Sequence, residues 1–210
     1  MRGTFYLTIA GLLVLTACNS AKTPNSINFT HAIDEYLTKH GSVCTAIGQQ
    51  FPIDLPQSMK SERFGIGPKL GALEQAGLVR SSDTTAVVHG MLDSLRGSTP
   101  PQPVKRYELT ADGRKYFQQI PGILGQAGGF CYGQKSVDAI VKWTEPVNEG
   151  TSSQIEVTYT YKIPDIAPWA QRIDVQQAFS DIRTNVTGAS NTPEVVGLQL
   201  TSTGWEVPGQ

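Results

Sequence analysis

From residue 154 to residue 163 apolar and polar side chains alternate without a break. Ile155, Val157, Tyr159, Tyr161 and Ile163 stand against Gln154, Glu156, Thr158, Thr160 and Lys162. Successive side chains of a strand point to opposite faces, so this segment demands a sheet with one face buried and the other open to water. Tyr159 and Tyr161 fall on the apolar face and are expected in a core. The flanking chain supplies partners for such a strand. Phe130 to Tyr132 and Val137 to Trp143 are candidate strands before it, and Asn148-Glu149-Gly150 has turn chemistry. Val195 to Leu200 and Trp205 to Val207 form a final hairpin turned through Thr203-Gly204. Between them, Val175, Ala178, Phe179 and Ile182 give one face of a short helix over about 175 to 184.

The first half has a different grammar. Asn28 is a plausible N-cap, Phe29, Ile33, Tyr36 and Leu37 share a helical face, and Gly41 sits where a terminating glycine belongs. Two prolines in residues 51 to 57 make that stretch an extended edge, not a central strand. A second helical region covers 58 to 76. Gly65, Gly67 and Pro68 confine its robust part to about 67 to 76, before Gly77. From Arg80 to Tyr107 a long hairpin is expected, with arms of about 84 to 92 and 103 to 109. Thr110 can cap a helix over 111 to 119 that buries Tyr116 and Phe117. Pro121 with Gly122, Gly125, Gly128 and Gly129 makes 121 to 129 a flexible join. The chain is therefore expected to be α+β, with units at 27–120 and 129–208, the second an antiparallel β-rich unit with one packed helix.

At the N-terminus an apolar run from Phe5 to Ala17 follows Arg2. It is too short to span a bilayer comfortably, and small residues precede Cys18. Leu15-Thr16-Ala17-Cys18 resembles the lipobox of bacterial lipoprotein signals. The resemblance implies that residues 1–17 are a signal peptide cleaved before Cys18. It also implies that Cys18 carries a diacylglycerol thioether and an acylated amino group, and that 18–26 is a lipidated tether. Asn19 after that cysteine favours outer-membrane sorting, by analogy with enterobacterial lipoproteins. Cleavage takes 17 of the 210 residues and leaves 193, enough for one large domain or two small ones. No second apolar stretch approaches the roughly 20 residues of a membrane helix, so the membrane is reached through lipid.

Three cysteines less the lipidated Cys18 leave Cys44 and Cys131. Outside the cytoplasmic membrane such a pair normally forms a disulfide, and closing so long a loop stabilises a fold by roughly 3–5 kcal/mol. Two buried thiols are the alternative. His31, His40 and His89 have no zinc-site spacing, so neither a metal nor a cofactor is expected.

A helix ending Leu73-Glu74-Gln75-Ala76-Gly77-Leu78-Val79, an extended hairpin, and Tyr107-Glu108-Leu109-Thr110-Ala111-Asp112-Gly113-Arg114 together resemble winged-helix proteins over about residues 28–119. In that family the helix before the Gly-Leu-Val lies in the DNA major groove and the hairpin is the wing. Here the corresponding region, Ser58 to Ala76, offers only Lys60, Arg63 and Lys69, partly offset by Glu62 and Glu74. The hairpin region adds Arg96, Lys105 and Arg106. Lys and Arg number 17 against 18 Asp and Glu, and losing Arg2 takes the net charge from −1 to about −2. A scaffold is expected, with no nucleic-acid partner. The larger pattern resembles a group of uncharacterised proteobacterial lipoproteins. It joins Cys18, Cys44, Leu78 to Gly113, Phe130-Cys131 and Tyr159-Thr160-Tyr161-Lys162, and it implies a fold and an address without an activity.

Catalytic patterns are thin. Gly-x-Ser-x-Gly is missing, and Gly125 to Gly129 lacks the Lys-Ser/Thr ending of a phosphate loop. Asp34 and Glu35 point to different sides of a helix, and Asp174 and Asp181 fit a solvated stripe. Among the aromatics, Trp169, after Ala167-Pro168, is the one expected to touch a partner. The sequence thus favours a non-catalytic, lipid-anchored envelope protein that binds or supports another envelope component. The alternatives are an immunity-type lipoprotein that neutralises a delivered toxin, and an envelope hydrolase with a site assembled from distant residues.

Overall fold

A computed structural model describes residues 20–57, 65–88, 100–122, 125–150 and 152–209. The lipobox with Cys18, residues 58–64 with Lys60, Glu62 and Arg63, and His89 and Arg96 lie outside the described residues. The architecture is α+β, with three small antiparallel sheets and short helices.

Helix α1, Ser26–His40, starts earlier than expected, because Asn25 and not Asn28 is its N-cap. The Asn25 side chain accepts the Asn28 backbone N–H at 2.9 Å. Gly41 ends it, donating to the Leu37 carbonyl. Strand β1 is Ser42–Ala46 and β2 is Ile53–Pro56. Helix α2, Ile66–Gln75, ends before Gly77 at φ 77, a left-handed turn suited to glycine. It leads into β3, Val79–Ala86, which pairs with β4, Gln102–Leu109. Strand order in this sheet is β2–β4–β3, so the proline-bearing segment is an edge, as its composition requires.

Thr110 caps helix α3, Ala111–Tyr116, accepting the Gly113 N–H at 2.9 Å. The helix is shorter than expected. At Phe117 the backbone turns extended and enters β5, Phe117–Gly122, which pairs with β6, Gly125–Gln134. The expected flexible join at 121–129 is therefore mostly a hairpin. Its glycines allow close packing: a side chain at Gly128 would strike the Gln49 carbonyl and the Phe117 ring, and one at Gly129 would strike Ile120. In the sheet β1–β6–β5, Cys44 lies opposite Cys131, and the two form a disulfide closing 87 residues.

The third sheet holds β7, Ser136–Trp143; β8, Val147–Glu149; β9, Ser152–Lys162; β10, Glu194–Leu200; and β11, Trp205–Glu206. Its order is β11–β10–β9–β7, with β8 also beside β9. Tyr159 and Tyr161 are buried, as the alternation of β9 requires. The expected single helix near 175–184 is two, α4 (Ile173–Ala178) and α5 (Ser180–Gly188). They break at Phe179, whose extended backbone accompanies a fully buried ring.

Packing ignores the division at residues 120 and 129. One core gathers Val43, Ile53, Leu70, Leu73 and Leu78 with Phe130, Trp169, Val175, Phe179 and Ile182, so α4 packs on α2. A second core lays Phe29, Ala32, Ile33 and Leu37 of α1 on Val137, Ile155, Val157, Tyr159 and Tyr161 of the third sheet. The first helix thus belongs with the last strands. Asp34 fixes it there, accepting the Val137 N–H at 2.7 Å.

Candidate functional site

The two cores meet where β6 turns into β7. Lys135 alone makes that turn, and its N–H donates to the Gly41 carbonyl at 2.8 Å, just beyond the end of α1. The Gln134 side-chain amide donates to the Leu37 carbonyl. Over this seam lies an open cleft of about 410 Å³, bordered by Tyr36, His40, Ser42, Lys135, Tyr159 and Glu194.

Glu194 is the first residue of β10 and pairs with Tyr159 across the ladder. One carboxylate oxygen accepts from Lys135 Nζ at 2.6 Å, and the other accepts from the Tyr159 hydroxyl at 2.9 Å. Lys135 Nζ also lies 3.8 Å from the centroid of the Tyr161 ring, a cation–π contact. Burial pushes the Tyr159 phenol well above its ordinary range, and the hydrogen bond to Glu194 and that carboxylate's charge push the same way. Burial and Glu194 also raise Tyr161, whose hydroxyl donates to the Asn185 carbonyl at 2.9 Å. Asn185 Nδ2 donates to the Tyr132 hydroxyl at 2.8 Å, extending the network into the first core. On the rim, Tyr36 and His40 are stacked at 4.7 Å, and Val195 is 64% exposed.

This arrangement is a closed network of hydrogen bonds and an ion pair. The lysine and the carboxylate neutralise each other, and both tyrosine protons are committed. Its polar walls can recognise a complementary surface without needing a free base or nucleophile. Among the described residues, no group of three His, Cys, Asp or Glu side chains could hold a metal ion, and no helix is long and apolar enough to cross a membrane.

Of the residues singled out in the sequence, His40 lies at this cleft, as does Cys44 of the disulfide. His31 lies near the other end of α1. Trp169 is a correction: it is 5% exposed and packs edge-on against Tyr116, Phe130 and Tyr132, so its ring fills the first core and is not offered to a partner. Lys135, Glu194 and Tyr36 were not apparent as site residues. Lys135 and Glu194 are 59 positions apart, and no local pattern links them. The nearest available signal was a lone lysine between two strand-like segments.

No protein-family model, curated protein or solved structure matches this chain.

Proposed function

We propose that this chain is a non-catalytic bacterial envelope lipoprotein, acylated at Cys18, held at the outer membrane and facing the periplasm. Through the Lys135–Glu194–Tyr159 cleft it binds a protein of the envelope. The observation that carries the reading is the conjunction of a lipobox with the Cys44–Cys131 disulfide, a bond that persists in oxidising compartments. The self-neutralised network supports binding over catalysis, since the Glu194 carboxylate is engaged on one oxygen by Lys135 and on the other by the Tyr159 hydroxyl.

The β2–β4–β3 sheet with α2 between β2 and β3 supports a winged-helix-like unit, although α1 lies on another sheet. We take that unit as a scaffold. Lys69 of α2 stands 5.3 Å from the Phe179 ring centroid, and Glu74 accepts from Ser81 and lies 3.8 Å from Lys105. Packing by α4 along α2 is the opposite of a helix kept bare for a groove.

A photo-crosslinker at Val195, on the cleft rim, tests the reading in living cells, with Ile173 as the control exposed position. A discrete adduct with one envelope protein from position 195 and none from 173 is expected. Adducts from both positions, or none from either, contradict the cleft as the binding surface. An adduct with an incoming toxin alone selects the immunity reading in its place.

A further inference from the structure

We infer that the end of the body where α1 begins rests on the phospholipid surface, with Ile27 and Trp143 at the lipid–water boundary; this rests on the acylation of Cys18 proposed above. Within the segment expected to be a lipidated tether, 18–26, the chain is fastened from residue 20 onward. Ser20–Lys22 form a turn of 3-10 helix. The Lys22 carbonyl accepts from Trp205 Nε1 at 3.1 Å, and the Thr23 carbonyl accepts from Asn28 Nδ2 at 2.8 Å and Asn25 Nδ2 at 3.2 Å. Ala21 lies so close to Gly204 that a side chain there would come within 3.2 Å of the Ala21 carbonyl oxygen. The β10–β11 hairpin therefore clamps Ala21 and Lys22.

Two Cα–Cα steps separate Cys18 from Ser20, at most about 8 Å. An acylated Cys18 lies at the headgroups, so the clamped end is drawn against the bilayer. That end is dressed for it. Ile27 is 79% exposed and lines a hollow of about 280 Å³ with Ala21, His31, Gly204 and Trp205, a hollow that Glu35 and Glu206 also border. On the other side of the first turn of α1, Trp143 is 44% exposed and packs edge-on against Phe29 at 5.3 Å. Indoles and large aliphatic side chains at such an edge suit the interfacial zone, where one face is apolar and the other wet.

The orientation also assigns a height to the cleft. Helix α1 has 15 residues, which at about 1.5 Å per residue is roughly 20 Å from the tethered end to His40. The helix acts as a strut: its start meets the lipid, and its end carries the cleft beyond the headgroups.

The test uses the full acylated chain in vesicles of phosphatidylethanolamine and phosphatidylglycerol. A nitroxide is placed through Ile27→Cys, Trp143→Cys or Val195→Cys. With Cys18 acylated and Cys44 bridged to Cys131, the introduced thiol is the one open to labelling. Oxygen should reach the labels at 27 and 143 in several-fold preference to a water-soluble nickel complex, with the preference reversed at 195. Equal nickel access at 27 and 195, in protein whose mass includes the acyl chains, overturns the inference and leaves the lipoprotein reading standing. A mass without acyl chains overturns that reading itself.

Discussion

The two cores use the chain in opposite ways. The first is a knot of aromatic rings, Phe51, Phe117, Phe130, Tyr116, Tyr132 and Trp169, set edge-to-face around a disulfide-linked strand pair. The second joins α1 to the final sheet: Phe29 meets Trp205 of β11 at 5.6 Å and Trp143 of β7 at 5.3 Å. A covalent bond constrains the unfolded state of the first. The second is held by burial and by hydrogen bonds across the fold, with a large loop-closure cost to overcome. Lys135 stands at the turn between them, so the cleft is also the joint through which one core feels the other.

The largest expected effects come from emptying each core. Phe130→Ala and Phe29→Ala should each cost about 3–5 kcal/mol. With fluorotryptophan at the three Trp positions, Phe29→Ala should broaden the Trp143 and Trp205 resonances first, and Phe130→Ala the Trp169 resonance. Identical responses at all three would dissolve the distinction between the cores. Removing the disulfide with Cys44→Ala and Cys131→Ala together should cost about 2–5 kcal/mol. The loss should register at Trp169 before Trp205 in urea unfolding. The reverse order would mean that the bond serves the second core.

Smaller effects are expected at the joint. Glu194→Gln leaves Lys135, whose side chain is only 17% exposed, without its counter-charge. The cost should be about 1–3 kcal/mol, and Lys135→Met in the same chain should recover part of it. A double-mutant cycle with no coupling would reduce the pair to a surface contact. High pH acts on the same joint. Tyr159 is held protonated by burial and by Glu194, so its folded pKa lies above its unfolded one. That contribution is fully present below about pH 10 and is lost as pH rises through the folded value. Wild type should therefore lose stability in alkali more steeply than Tyr159→Phe, as followed by circular dichroism. Equal slopes would contradict the locked phenol.

Local periodicity made much of this legible. The alternation of 154–163 marked β9 and its buried tyrosines, the prolines near residue 52 marked an edge, and Thr110 marked a helix start. Long-range packing was not legible. Nothing near Phe29 says that its partners are Trp143 and Trp205, so α1 was grouped with its sequence neighbours and not with the final sheet. Gly128 looked like flexibility because its alternative use, admitting the Gln49 carbonyl, involves a residue far outside the local window. Trp169 looked available because loop-like sequence around a tryptophan carries no sign of what covers it. The cleft depends on Lys135 from the β6–β7 turn, Glu194 from the start of β10 and Tyr159 from within β9 converging, which the pairing of β9 with β7 and β10 brings about.

The account stands on the lipid at Cys18, and metabolic labelling with palmitate, wild type beside Cys18→Ala with membrane fractionation of both, tests it most directly. The predicted result is label on the wild type alone, with that protein in the outer-membrane fraction and the variant released from it. An unlabelled wild-type protein in the cytosol would contradict the address, the oriented body and the envelope partner together.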